Sequence, residues 1–464
     1  MPRLMLQVLL PVLLSISVLN AQDAANDQFT RFGIYAATAP RATAADPVVT
    51  GLPLQLQPGD RIALIGNTLL ERSQEFGHFE AMLHQLFPEL NLVVRHLAWS
   101  ADEIGLQPRP ANFADTEQHL VHEKIDVIIA AFGFNESFAG EQGLPEFQRQ
   151  LSAWLQSLRS KSFNGRSAAR VVLISPIACE NIAGVPAADR NNGNVQLYLQ
   201  AMQQEAARQQ TGFVDVFTET AAAMLSPGTD LTVNGIHLNR EGDLLFSKVL
   251  LKGLFQREPL EPSGTLLETV VNKNRQYFRR FRPLNTFYYT GGRNKDYGYL
   301  DFLPAMRNFD LLVNQQDAQI HALAGPQPAV PLLPPAALPP LPAVNQSRGA
   351  NEWLSAADEQ RAFQVDPRFE VSLFAGEEQF PDIANPIQMR WDSRGRLWVS
   401  CSTTYPHVYP GQEPQDKLVI LEDTDGDGRA DVSKVFADNM HIPLSFLFGN
   451  GGVFLSYNPK QTIL

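Results

Sequence analysis

The 464-residue chain has only two cysteines, Cys179 and Cys401, and they fall in different parts of the sequence. A disulfide framework is therefore excluded as the basis of the fold, and packing is the expected role of both. No C-x-x-C-H occurs, which removes a c-type haem. Positive charge is also scarce: 37 Lys and Arg face 49 Asp and Glu, a net charge of -12. Nucleic acid or an anionic membrane as main partner needs a basic footprint that is missing here. Long apolar runs are absent except near the start, so no second segment reads as membrane-spanning.

That first run, LMLQVLLPVLLSISVL after Arg3, ends at Leu19-Asn20-Ala21. A basic start, a short apolar stretch and a small final residue predict a signal peptide over 1–21 and an exported, periplasmic or extracellular protein. A retained N-terminal anchor is the alternative. Residues 22–57 show no clear period and read as a leader.

From Arg61 the pattern alternates. RIALIG, LNLVVRHLA, DVIIAAFG, RVVLISP and FVDVF read as strands, the third as one buried on both faces. SQEFGHFEAMLHQLF, LPEFQRQLSAWLQSL, NNGNVQLYLQAMQQEAARQQ and NREGDLLFSKVLLKGLF between and after them read as helices. Alternation of this kind predicts a parallel sheet in a three-layer α/β/α domain over 58–255. Residues 256–325 form a helical aromatic and basic extension, packed on that domain or lining a site for a sugar or anionic glycan. Residues 326–345 are a Pro-rich linker, because eight prolines in PQPAVPLLPPAALPPLP hold the chain extended. Beyond it FEVSLFA, PIQMRW, RLWVSC, KLVILE and GVFLSY read as short strands. Their spacing fits about two propeller blades over 346–464, and propellers close with at least about four. The expectation is an incomplete all-β propeller.

Four segments carry chemistry, three of them at strand ends: Gly66-Asn67-Thr68, Trp99-Ser100-Ala101-Asp102, Gly133-Phe134-Asn135-Glu136, and Asn234-Gly235-Ile236-His237 before the last helix. Sites in parallel sheets form at the carboxyl ends of strands. A hydroxyl, an amide donor and an imidazole are what acyl transfer needs as nucleophile, oxyanion donor and general base. The order and spacing of the four blocks resemble the SGNH (GDSL-like) hydrolases, whose blocks read GDS, a Gly-containing second block, GxND and DxxH. The resemblance implies a flavodoxin-like fold with Thr68 as nucleophile, the Ala101 N–H and the Asn135 amide as oxyanion donors, and His237 as base.

The departures are specific. GNT puts a β-branched Thr at the nucleophile, whose methyl stiffens χ1 and crowds attack. Asn234 replaces the carboxylate that would orient His237, and in a serine-protease triad that change lowers kcat by about 10⁴ through the wrong tautomer. Glu136 and Asp230 are candidate replacements. The expected activity is hydrolysis of a small-molecule or polysaccharide ester, O-acetyl among them. The alternatives are a non-catalytic carbohydrate-binding domain, a fragment of a quinoprotein-type dehydrogenase, or four ordinary turns. No cofactor is expected for the hydrolase domain.

Asp423, Asp425, Asp427 and Asp431 stand at loop positions one, three, five and nine with Gly428 at position six, the front of a Ca²⁺-binding loop, although Lys434 occupies position twelve. Calcium and a metal-free acidic hairpin are both open. The surrounding run, from FEVSLFA to ADNMHIP, resembles the opening of bacterial membrane-bound dehydrogenase propellers, themselves similar to quinoprotein sugar dehydrogenases.

Overall fold

In the computed structural model the described residues are 33–184, 186, 188–226, 228, 230–282, 286–291, 302–325, 337–340, 354–405, 408–449, 451–457 and 460–463. The expected signal peptide and most of the Pro-rich segment lie outside them. The chain divides into two compact units, 1–341 and 342–464.

The first unit is built on a five-stranded parallel sheet. Its strands are β1 (Arg61–Gly66), β2 (Val93–His96), β3 (Val127–Ala131), β4 (Arg170–Ile174) and β5 (Gly212–Val214), in the order β2-β1-β3-β4-β5. This is the flavodoxin-like order, whose switch point opens a crevice beside β1 and β3. VIIAA of β3 is buried throughout, as a strand covered on both faces must be. Alternate side chains feed two cores. Leu64, Val94, Ile129 and Val172 pack with Phe79, Leu83, Phe246 and Leu250, from helices α2 (His78–Leu86) and α7 (Arg240–Phe255). Ile65, Ile128, Ala130 and Leu173 pack with Phe147, Leu151, Leu155 and Met202, from α4 (Gly140–Arg159) and α5 (Ala188–Arg208).

Several elements differ from the sequence expectation. The helix expected from Ser73 begins only at His78, as α2, because Gly77 takes a left-handed conformation, and a separate helix, α1 (Thr68–Ser73), precedes it. The strand expected at FVDVF ends at Val214, and Phe217 opens α6 (Phe217–Met224). A short helix α3 (Thr116–His122) has no strong apolar period and is fixed by a capping box between Asp115 and Gln118.

The extension is helical: α8 (Gly264–Phe281), the single turn α9 (Thr286–Tyr289) and α10 (Phe302–Ala324). Several of its polar groups are buried against the sheet. Lys273, fully buried, meets Glu80 at 2.7 and 2.9 Å and donates to the Val94 carbonyl at 3.1 Å. Burial pushes the Glu80 carboxyl up, but Lys273, with His84 and His96, outweighs it and holds the group well below the usual carboxylate range. Arg95 pairs with Asp317 at 2.6 Å and Glu123 at 3.3 Å. Buried Tyr277 donates to Glu123 at 3.1 Å. These bonds fasten α8 and α10 over the β2 edge.

The second unit contains two antiparallel sheets. β6 (Pro386–Trp391), β7 (Leu397–Cys401), β8 (Asp416–Glu422) and β9 (Val432–Met440) form a four-stranded meander in the order β9-β8-β7-β6. β10 (Pro443–Gly449), β11 (Gly452–Tyr457) and β12 (Lys460–Ile463) form the other. One α-helix, α11 (Ala356–Ala362), and a 3₁₀ turn, Pro381–Ile383, precede them among the described residues. FEVSLFA is not a strand: its one backbone bond to a distant segment is Ala430 N–H to the Phe374 carbonyl, Gln360 Nε2 donates to the Val371 carbonyl, and Phe369 is exposed. Cys401 is buried inside β7 and Cys179 lies buried five residues past β4; both are free thiols.

Candidate active site

The first block turns from β1 into α1. Gly66 has φ 123°, and a Cβ there would lie 2.0 Å from the Ala131 carbonyl oxygen, so β1 and β3 approach closely at this point only because the residue is glycine. Asn67 then caps α1, accepting from the Leu69 N–H at 3.1 Å. Thr68 follows as the first helical residue, half-buried with its hydroxyl at the sheet edge.

The second block supplies a donor. Ala101 sits in the left-handed region at φ 63°, an uncommon place for a residue with a Cβ. That backbone aims its N–H at Thr68 Oγ1, 3.0 Å away. Behind it, Asp102 is held by Arg109 at 2.6 Å, and Arg109 and Arg282 lie over the Trp99 ring at 4.5 and 4.1 Å.

The third block is tied to the second by Glu136. Its carboxylate accepts from the Ile104 N–H at 3.0 Å and the Gly133 N–H at 2.9 Å. Burial pushes its pKa up against those bonds. Glu136 is thus a strut between loops rather than a partner of His237, and it leaves the Asn135 side chain on the pocket wall.

The fourth block is a tight loop stapled by Glu180, a residue for which the sequence offered no signal. The Glu180 carboxylate accepts from the Leu231 N–H at 2.9 Å, the Thr232 N–H at 2.8 Å and the Thr232 hydroxyl at 2.6 Å. Thr232 Oγ1 accepts in turn from the Gly235 N–H at 2.9 Å. The loop presents Asn234 and His237 together. Asn234 Oδ1 accepts from the His237 N–H at 3.0 Å and lies 3.1 Å from His237 Nδ1, while Asn234 Nδ2 lies 2.9 Å from the same nitrogen. Among the described residues no carboxylate is bonded to this ring, and Asp230 offers its backbone carbonyl to Asn239 instead. Burial, and after it the positive charge of Arg72, holds the His237 pKa below the ordinary histidine value.

Thr68, Ala101, Asn135 and His237 line one pocket of about 200 Å³. Asn234 stands behind His237. The rest of the wall is largely apolar, with Phe76, Phe134, Pro176, Ile177 and Ile236, and it includes two groups that motif reading missed, Arg72 and Asp243. Asp243 is buried against His78, 2.8 Å from its Nδ1, and burial raises its pKa.

Residues 64–245 match the family described as GDSL-like Lipase/Acylhydrolase, so the first unit carries an α/β acylhydrolase domain of that kind. Residues 355–464 match a domain described as a domain of unknown function, DUF7133. No curated protein matches the chain. Among solved structures, the chain is similar to a gut microbial diltiazem-metabolizing enzyme at 17% identity and TM-score 0.36, covering 45% of this chain and 48% of that one. The chain thus spans about half the length of that relative. It is also similar to Axe2, an acetylxylan esterase from Geobacillus stearothermophilus, at 14% identity and TM-score 0.33, covering 43% of this chain and 96% of that one.

In the second unit, Asp423, Asp425 and Asp431 each bring a carboxylate oxygen within 4.8 Å of the others, and Asp427 is not in that group. Asp427 Oδ1 accepts from the Arg429 N–H at 2.8 Å instead. Three hard oxygen donors suit Ca²⁺ in kind but supply fewer than the six to eight ligands it takes. Among the described residues no helix is long and apolar enough to cross a membrane.

Proposed function

We propose that the first unit hydrolyses O-acyl esters, with Thr68 as nucleophile. The observation that carries this reading is the Ala101 N–H, 3.0 Å from Thr68 Oγ1, in a pocket also lined by Asn135 and His237. In the proposed reaction Thr68 Oγ1 attacks the ester carbonyl carbon as its proton passes to His237 Nε2. The carbonyl oxygen, now an oxyanion, accepts from the Ala101 N–H and the Asn135 amide. The C–O bond to the alcohol breaks, and His237 returns the proton to the leaving oxygen. Water then attacks the acyl-Thr68 ester with His237 again as base. A short acyl group such as acetyl suits the small apolar wall, and a small-molecule or polysaccharide alcohol is the proposed leaving group.

One observation favours a second reading, a site that binds esters or sugars without turning them over. With Asn234 in place of a carboxylate, the His237 tautomer is not fixed, because both amide atoms face Nδ1. Hydrolysis of p-nitrophenyl acetate by the full chain separates the readings. Turnover that disappears in Thr68→Ala supports the esterase; equal rates in the two proteins eliminate Thr68 as nucleophile and leave the binding reading.

Export of the protein remains part of this proposal, on the strength of the N-terminal pattern. The sequential four-stranded meander supports a propeller-type second unit, and the carboxylate group at Asp423 supports a weak calcium loop there.

A further inference from the structure

Arg72 lies one helical turn beyond Thr68 and on the same face of α1, where it lines the same pocket. Its Nε is buried without a hydrogen-bond partner among the described residues. The acids around it feel its charge but make their closest bonds to other groups. Glu71 pairs with Arg282 at 3.2 Å and accepts from the Ser100 hydroxyl at 3.1 Å. Asp243 is held by His78 at 2.8 Å. A guanidinium presents donors in a planar fork, and a buried donor left without an acceptor is unfavourable. The residue lines the same pocket as the reacting Thr68 hydroxyl. Water can solvate a charge at a pocket mouth, but a carboxylate matches the fork in two bonds at once.

Building on the esterase reading, we propose that Arg72 binds a carboxylate carried by the substrate, so that the site prefers acidic esters to neutral ones of the same size. The carboxylate sits on the acyl group, as in a dicarboxylic half-ester, or on the alcohol, as in an O-acetylated uronic acid. Either source places the anion within one side-chain length of the scissile bond. Arg72 is the one arginine or lysine among the described residues lining the pocket, and Asp243, the one carboxylate there, is bonded to His78, which makes Arg72 the residue that sets this preference.

Two pairs of esters distinguish the sources. Monomethyl succinate is compared with methyl butyrate, and an O-acetylated methyl galacturonoside with the corresponding galactoside, by release of acid. The ratio of kcat/KM, acidic over neutral, is expected to exceed one by about 10- to 100-fold in one pair, the range of a charge-assisted bond. Arg72→Gln should collapse that ratio and Arg72→Lys should recover part of it. Ratios near one in both pairs, or ratios that Arg72→Gln leaves intact, overturn the proposal. Calorimetric binding of succinate and of galacturonate, at constant chloride, is measured in parallel. Tighter binding of either anion by the parent than by Arg72→Gln supports the role of Arg72 even where no ester is turned over, a result that would count against the esterase reading alone. Equal binding by both proteins overturns it.

Discussion

Asn234→Asp is the substitution that bears most directly on the chemistry. In the parent, His237 Nδ1 lies 3.1 Å from Asn234 Oδ1 and 2.9 Å from Nδ2. With Nδ1–H donating to Oδ1, Nε2 has the lone pair a base needs. With Nδ2–H donating to Nδ1, the proton is on Nε2 and the ring cannot accept from Thr68. An aspartate removes the second arrangement and keeps the acceptor for the His237 N–H. A neutral hydrogen bond contributes about 0.5–1.5 kcal/mol and one to a charged group about 1.5–3. The imidazolium formed during attack therefore gains about 1–1.5 kcal/mol at this half-buried site, or about one pKa unit and about tenfold in rate. Selecting the tautomer adds to this, up to the roughly 10⁴-fold seen when a triad loses its carboxylate. The acid limb of kcat/KM moves as well. A base works when neutral, so the depressed His237 pKa of the parent puts its limb below the ordinary histidine value. In Asn234→Asp the limb should move up by about one unit. Hydrolysis of p-nitrophenyl acetate across about pH 4–9, about two and a half units either side of an ordinary histidine, reads both quantities. A limb that stays in place in Asn234→Asp would refute the assignment of His237 as base, and a limb that rises while the rate stays flat would refute the gain argued for the carboxylate. Thr68→Ser should raise the rate further by removing the crowding methyl, and the double variant should be non-additive because both residues serve one step.

Other expectations rest on residues outside the motifs. Glu180→Ala strips three donors of their acceptor and should lower kcat by loosening the His237 loop, with a stability loss of about 2–3 kcal/mol; unchanged kinetics in a folded variant would show that the loop holds its shape without the staple. Lys273→Met leaves Glu80 charged and buried without its partner, and denaturant melts should show a loss of about 3–5 kcal/mol; a change near zero would mean that His84 and His96 compensate. Calcium at Asp423, Asp425 and Asp431 predicts that a chelator lowers the melting temperature of the second unit's transition in the full chain, and an unaltered transition would rule metal binding out as a contribution to stability.

Much of the first unit was readable from sequence because its strands are buried on both faces. A run such as VIIAA admits few environments, and alternation with amphipathic helices leaves the parallel α/β/α sheet as the consistent answer. The second unit was less legible for the converse reason. Most of Val432–Met440 is exposed, so its strand has no apolar period to reveal it, while FEVSLFA has strand-like residues but no neighbouring strand to pair with.

The same division runs through the site. Residue types and order marked the candidate groups: Thr68, Asn135 and His237 stand in blocks whose glycines, Gly66, Gly133 and Gly235, take positive φ, while Ala101 takes the left-handed turn itself. The local blocks also announced the missing carboxylate at Asn234. Long-range closure was beyond them. That Glu136 braces two loops, that Glu180 staples the His237 loop from 51 residues away, and that Arg72 faces the pocket with its neighbouring acids already engaged all depend on contacts between distant segments. A carboxylate's partner is chosen by whatever the fold brings within about 3 Å of it, and only the assembled sheet and its loops decide that.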